Sequence, residues 1–242
     1  MEGKRLAEAG LTRSVIDAAA RTFIGELINK AHTNELNLCY NDLTNILYAD
    51  YLSLLFPNSK FIFIIRDGLA TVNSILSNKI NAIGFSKNDF KNNLINWNDL
   101  TEVCVSNCMK VGPDKCLSIY FEQLIIDPDR EIKKISDFLN IPLNNQNIEI
   151  MEDFKAKNLN SWIENVPKNL INEINEIAPL MKKLGYQENK QISNNLMYNN
   201  LAENMHEIRK NRQYWIDLTK NETKLANFRT LVKYFQKDLL QK

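Results

Sequence analysis

Glycine is scarce in this 242-residue chain, with seven at Gly3, Gly10, Gly25, Gly68, Gly84, Gly112 and Gly185. No two stand close enough to build a glycine-rich phosphate loop. Histidine is scarcer still, at His32 and His206, and the four cysteines, Cys39, Cys104, Cys108 and Cys116, make no CxxC pair. These spacings do not suit zinc, and no metal is expected. No apolar run reaches the roughly eighteen residues that a membrane-spanning helix needs. The opening residues, Met1 to Glu8, lack the apolar core of a signal peptide. Neither a leader nor a membrane anchor is therefore expected in this chain. Excess charge is missing too. A net charge of +1 gives no bulk electrostatic basis for binding nucleic acid or a membrane surface.

Asparagine, by contrast, is abundant, at 34 residues spread over predicted helices and loops alike. It reads as a coding bias of the source rather than a chemical feature. The length allows one α/β domain with a sizeable core, or a domain with an appendage. Cys108 and Cys116 flank a Gly112-Pro113 turn, so a local disulfide is geometrically plausible, while composition alone favours four free thiols.

The most informative stretch is Lys60 to Ile80. Phe61 to Ile65 are five apolar residues in a row, which reads as a parallel strand buried on both faces. Asp67 can cap the next helix and Gly68 permits a tight turn into it. Leu69, Val72, Leu76 and Ile80 then form an apolar stripe, with Ser74 and Asn78 on the opposite face. An arginine at the end of a parallel strand, Arg66, sits where open α/β sheets bind ligands. Its fork suits phosphate or sulfate, and a helix start beside it would add N–H groups and positive dipole. The alternative is an arginine paired with Asp67 or a neighbouring carboxylate.

Before this stretch, Thr12 can cap a helix with Val15, Ile16, Ala19, Phe23, Leu27 and Ile28 on one side. Leu36 to Tyr40 is a short apolar piece, read as a candidate strand. Leu47, Tyr51, Leu54 and Leu55 mark a helix that Pro57 breaks. After it, Ser86 can cap a long helix to about Val111, its seam carried by Phe90, Leu94, Trp97, Thr101, Cys104, Cys108 and Val111. Cys116 to Glu122 reads as a second inner strand. Asp127-Pro128 is a helix start, with Ile132, Ile135, Phe138 and Leu139 facing inward. Residues 143–166 are polar, anchored by Trp162. A helix from Pro167, interrupted at Pro179, closes at Gly185. Two amphipathic helices follow, one with Leu201, Met205, Ile208 and Trp215, the other with Leu225, Phe228, Val232 and Phe235. Asn221-Glu222-Thr223 is a glycosylation sequon of a kind that arises by chance in an asparagine-rich chain. The strand–helix alternation over residues 36–140 predicts an α/β fold with a parallel sheet.

Several stretches together resemble the protein-tyrosine sulfotransferases: Leu55 to Phe61, Arg66-Asp67-Gly68, Ile83-Gly84-Phe85, Cys108 to Gly112, Lys115-Cys116, Phe121 to Leu124, Phe138 to Pro142, Ile177 to Leu180, and Lys183 to Tyr186. The resemblance covers roughly Leu6 to Tyr186. It implies a sulfotransferase-type, P-loop-like parallel sheet flanked by helices. It also implies transfer of a sulfuryl group from 3′-phosphoadenylyl sulfate to tyrosine in acidic peptides, in the Golgi lumen, releasing adenosine 3′,5′-bisphosphate. Positioning and charge neutralisation carry most of such catalysis. By the resemblance, Arg66 and Ser74 hold the 3′-phosphate, Cys108 and Cys116 form a disulfide, and family members dimerise.

The same resemblance marks departures. The family's 5′-phosphosulfate loop and catalytic glutamate lie upstream of the matched part, so the chain is expected to lack its N-terminal phosphate-loop unit. Asn41 stands where the family has a charge-stabilising lysine, and Asn78 where it has a second phosphate-binding arginine. An amide supplies neither charge. Lys79 points about 140° away from Ser74 around a helix. Phe121 replaces a nucleotide-contacting tyrosine, and Tyr120 faces the other side of its strand. A loop bearing a catalytic serine is expected to be deleted between about Met151 and Ser161, and Cys39 to lack its partner. The chain thus divides into a partial sulfotransferase domain at 1–187 and a helical tail at 188–242. Two functions follow: a protein-tyrosine sulfotransferase family member, inactive as this chain, or a degenerate non-catalytic relative that binds peptides or partners. Without an upstream strand, the edge beside Phe61 to Ile65 is expected to promote aggregation unless residues 36–40 or the tail cover it.

Overall fold

Strand β1, Phe61–Ile65, runs parallel to β2, Cys116–Tyr120, with Phe61 opposite Cys116 and Ile65 opposite Tyr120. The computed structural model describes residues 5, 8–31, 37–78, 84–142, 165–186 and 201–218. Before β1 come α1 (Arg13–Ala31), α2 (Leu43–Leu47) and α3 (Ala49–Leu55). Helix α4 (Gly68–Ser77) follows β1, and α5 (Phe90–Val111) leads into β2. Then come α6 (Phe121–Ile126), α7 (Pro128–Leu139), a 3₁₀ segment (Lys168–Glu173), α8 (Ile174–Ile177), α9 (Pro179–Lys183), α10 (Leu201–Lys210) and α11 (Arg212–Leu218). The result is a helix-rich α/β arrangement around a small parallel sheet, as the alternation predicts.

The organising helix is α5. It packs against α2, α3, α4, α8, α9, α11 and both strands. From Thr101 to Met109 every residue is buried, so the predicted single seam widens to the whole circumference. Its cap is Asp89, which accepts the Asn92 N–H at 2.9 Å, and not Ser86, whose hydroxyl accepts the Asn88 N–H instead. Its C-terminal end is held twice. Cys108 and Cys116 are joined by a disulfide with Cα atoms 5.3 Å apart. The Arg212 guanidinium donates to the carbonyls of Met109 at 2.7 Å and Lys110 at 3.3 Å. Met205, Ile208 and Trp215, on α10 and α11, belong to the same apolar core as Leu94, Trp97 and Cys108.

The expected burial of β1 on both faces does not hold. Phe63 and Ile65 are buried, but Ile62 is 37% exposed and Ile64 49%. Helix α5 packs on both strands and α7 and α10 pack on β2, so Ile119 is only 3% exposed while its partner Ile64 on the outer strand β1 is left open, and the side chains of β1, alternating in direction, meet two environments. Among the described residues β1 pairs with β2 alone, and residues 37–40 form no strand. The apolar stripe of α1 is likewise open, with Val15, Ile16, Phe23 and Leu27 all exposed. The second predicted strand ends at Tyr120, and Phe121 and Glu122 open α6. Residues 143–164, with Trp162 and the expected deletion at 151–161, lie outside the described residues, as do Lys79 and the sequon and second tail helix beyond 218.

Three of the many asparagines have a structural role. Asn93, Asn98 and Asn107 of α5 are buried, and each takes up backbone groups of its surroundings. Asn107 donates to the Ile46 and Leu47 carbonyls at 3.3 and 2.7 Å. Asn98 accepts the Leu180 N–H at 2.9 Å, and Asn93 accepts that of Ser86 at 2.7 Å. A helix buried on all sides must satisfy the broken backbone of the loops around it, and amides can donate and accept.

Candidate functional site

The two strands end side by side, and the residues beyond their ends form two layers. Ile65 is paired with Tyr120, so Arg66 faces Phe121 and Asp67 faces Glu122 one and two residues further on. The outer layer is half-buried: the Arg66 guanidinium lies over the Phe121 ring, 4.7 Å from its centroid. This cation–π contact orients the arginine without using its hydrogen-bonding edge. Among the described residues no carboxylate forms an ion pair with Arg66. The alternative of an arginine spent on Asp67 therefore finds no ion pair here.

The inner layer is sealed. Asp67 is fully buried and Glu122 is 2% exposed. Asp67 caps α4 as expected, its Oδ1 accepting the N–H groups of Leu69 at 2.8 Å and Ala70 at 3.1 Å. The helix mouth is thus largely occupied by the chain's own carboxylate. Two of the N–H groups expected to greet an external anion are therefore already taken by Asp67. Asp67 N–H in turn donates to Glu122 Oε1 at 2.9 Å, and Tyr186 Oη donates to Glu122 Oε2 at 2.9 Å. Tyr120, packed edge-on against Tyr186, donates its hydroxyl to the Leu184 carbonyl at 2.8 Å.

Burial pushes the Asp67 carboxyl up to about 6, against the opposing pull of its two N–H bonds and the Arg66 charge. Burial pushes Glu122 up to about 7; the Asp67 N–H bond opposes this and the Asp67 charge adds to it. The Tyr186 and Tyr120 hydroxyls are pushed up by burial as well. No sequence signal marked Glu122 as special. Its position in the Phe121-Glu122-Gln123-Leu124 stretch was visible, but its burial depends on Tyr186, 64 residues away.

Gly68 is required for a reason other than a tight turn. A Cβ there would stand 2.7 Å from Cε3 and 2.9 Å from Cδ2 of the Trp97 indole, so only glycine lets α4 approach α5 this closely. Ser74 is half-buried on α4, and Asn78 folds back on it, its amide donating to the Ser74 carbonyl at 3.0 Å and lying 3.4 Å from the hydroxyl. The structure brings Arg66 to Phe121 and Ser74 to Asn78. Asn41 is exposed just before α2 and is brought to neither pair. Cys39 is free and exposed, and Cys104 is free and buried. Among the described residues no cluster of ligating side chains could hold a metal, and no helix is long and apolar enough to cross a membrane.

The strand tips thus carry an arginine, stacked on Phe121 and in no ion pair among the described residues, beside the start of a capped helix in an α/β fold. The chain belongs to the sulfotransferase family, whose profile matches residues 3–145. Similar proteins include protein-tyrosine sulfotransferase A of Caenorhabditis elegans, 33% identical over 88% of this chain and 62% of that protein. Protein-tyrosine sulfotransferase 2 of Gallus gallus is 33% identical over 76% of this chain and 56% of that protein. Protein-tyrosine sulfotransferase 1 of Homo sapiens is 32% identical over 75% and 55%. These relatives bear out the resemblance read from the sequence. The chain spans a little over half the length of these relatives.

Proposed function

We propose that this chain is the part of a protein-tyrosine sulfotransferase that holds the 3′-phosphate end of 3′-phosphoadenylyl sulfate. Arg66 and Ser74 grip the phosphate, with Phe121 supporting the arginine and Asn78 contributing weakly. When bound, the nucleotide supplies the sulfuryl group that a peptide tyrosine accepts. The observation that carries this reading is the half-buried Arg66 guanidinium at the β1 tip, stacked on Phe121 and free of any carboxylate ion pair among the described residues. Its hydrogen-bonding edge is what a phosphate needs.

In this reading residues 1–187 belong to the sulfotransferase domain, and 188–242 form a helical tail. The substrates are acidic, tyrosine-containing peptides, the setting is the Golgi lumen, and the protein pairs as a homodimer. The Cys108–Cys116 disulfide favours an oxidising compartment. By itself the chain is inactive, because Asn41 and Asn78 bring no positive charge to the reacting group. Each missing charge removes several kcal/mol of electrostatic stabilisation, by order of magnitude.

A second reading is favoured by one contact: the Asn78 amide turned onto Ser74, which occupies the neighbourhood of the hydroxyl that the phosphate needs. In that case the chain is a non-catalytic relative that binds a peptide or partner. Calorimetric titration with adenosine 3′,5′-bisphosphate separates the two. Binding that vanishes in Arg66→Ala supports the nucleotide site; no heat with the wild-type chain refutes it. Sulfation of an acidic tyrosine peptide by the isolated chain would refute its inactivity.

A further inference from the structure

The inner layer at the strand tips has a role that the 3′-phosphate reading leaves unassigned. Two buried carboxylates, Asp67 and Glu122, lie directly beneath the Arg66–Phe121 layer and are linked through the Asp67 N–H. Neither forms an ion pair with a lysine or arginine among the described residues. Such a pair resists carrying two charges, because each carboxylate is desolvated and repels the other.

Three neighbouring segments bring polar groups toward the pair, and the charged groups of a fourth, α7, are turned elsewhere. Arg66 faces Asp67 from the β1 end, Tyr120 and Tyr186 face Glu122, and Tyr186 donates to it. On α7, Arg130 is turned to Gln123, Asp127 and Glu131, and Lys134 to Glu131. Asp67 Oδ1 is taken by two N–H groups, and both Glu122 oxygens accept a bond. Asp67 Oδ2 alone is buried with no hydrogen-bond partner among the described residues. A proton can be added there without breaking any existing bond.

We propose that Asp67 and Glu122 are a proton-sharing pair of positioning residues, and that proton uptake by the pair tightens anion binding at Arg66. This rests on the reading of Arg66 as the phosphate-binding group. With both carboxylates ionised, the strand tips carry a net negative charge under the guanidinium, which competes with an external anion. One proton on the pair cancels half of that competition while the Glu122 bond still holds the Asp67 backbone, and hence the Arg66 mount, in place. By linkage, a bound anion raises the pair's affinity for the proton by the same factor. The raised values of about 6 and about 7 put the change in the slightly acidic to neutral range.

The test is calorimetric titration of the whole chain with adenosine 3′,5′-bisphosphate at pH 6 and pH 8, for the wild type and for Glu122→Gln. The ligand's own phosphate ionisation is common to both proteins and cancels in the comparison. The wild type should gain about tenfold more affinity than the variant between pH 8 and pH 6, the gain given by a bound anion that raises the pair's proton affinity tenfold. Infrared spectra of the ligand-free wild type should show a protonated carboxyl band at pH 6 that fades toward pH 8 and is diminished in the variant. Should Glu122→Gln fail to fold, Asp67→Asn, which keeps an oxygen for the helix cap, makes the same comparison. Equal pH dependence in wild type and variant, or no protonated carboxyl at pH 6, overturns the proposal and leaves the Arg66 site standing. A carboxyl band with no nucleotide binding at either pH overturns the Arg66 site instead.

Discussion

Gly68→Ala places one methyl group against the flat of the Trp97 ring. The added carbon would lie 2.7, 2.9 and 3.0 Å from Cε3, Cδ2 and Cζ3, where carbon atoms prefer about 3.5 to 4.0 Å. Either α4 or the indole must move by nearly an ångström. The indole is 5% exposed and packed within the α5 core, so it cannot swing away cheaply. Overpacking of this kind costs about 1–3 kcal/mol. Replacing glycine by alanine in a helix returns up to about 1 kcal/mol, and less at this first helical position. A net loss of about 1–2 kcal/mol is expected in the denaturant-unfolding midpoint, with an unchanged slope. Because Gly68 lies two residues from Arg66, nucleotide affinity should fall as well. The decisive measurement is the same substitution in the Trp97→Leu background, where the ring is gone. There Gly68→Ala should be neutral or stabilising. An equal loss in both backgrounds, or no loss in the wild type, would refute the close-approach explanation.

Removing the disulfide with Cys108→Ala and Cys116→Ala, which frees a loop with a sequence separation of 8, should cost about 2–3 kcal/mol from the loop-closure entropy returned to the unfolded chain; a reducing agent should lower the wild-type melting temperature and leave the variant unmoved. Arg212→Ala removes two charge-assisted bonds to the end of α5 and should cost about 1–3 kcal/mol of unfolding free energy. The buried acids give a pH dependence of opposite sign to that of a salt-bridged carboxylate. Asp67 and Glu122 are raised from 3.8 and 4.5 to about 6 and about 7, so the folded chain binds protons more tightly than the unfolded one. Their contribution is fully present below about pH 4 and is lost as the pH rises to about 7, at about 1.4 kcal/mol for each tenfold difference in proton affinity between the folded and unfolded chain. Unfolding curves measured from pH 4 to 8 should show a steeper decline in the wild type than in Glu122→Gln.

Local rules recovered what local chemistry decides. The apolar run Phe61–Ile65, the Asp67 cap, the Asp127-Pro128 start of α7 and the stop of α5 at Gly112-Pro113 were all legible, because each is settled within a few residues. The alternating exposure of β1 was not. A continuous apolar run is the same sequence whether one face or two is covered, and the cover is a tertiary fact. The buried amides of Asn93, Asn98 and Asn107 were lost in an asparagine-rich background, since their partners are carbonyls and N–H groups of distant loops. Arg66 could be singled out at the end of its strand, but its seat on Phe121 required knowing which residues the parallel register brings opposite. The competition of Asp67 for the helix mouth was foreseeable in part, as the residue that caps a helix also occupies it.

The Tyr186 hydroxyl sets an order of events. It completes Glu122, which holds the backbone of Asp67, yet it is the last of the three to be translated, 64 positions after the acid that it serves. During vectorial synthesis both strands and their tips leave the ribosome well before this phenol exists. Until it arrives, one oxygen of a carboxylate destined for the interior lacks its donor, and the nascent tip has reason to stay hydrated. The scaffold under Arg66 therefore matures from its C-terminal side backward, and a nonsense codon only a few positions before Tyr186 would spare Arg66, Ser74 and Phe121 while undoing the support beneath them.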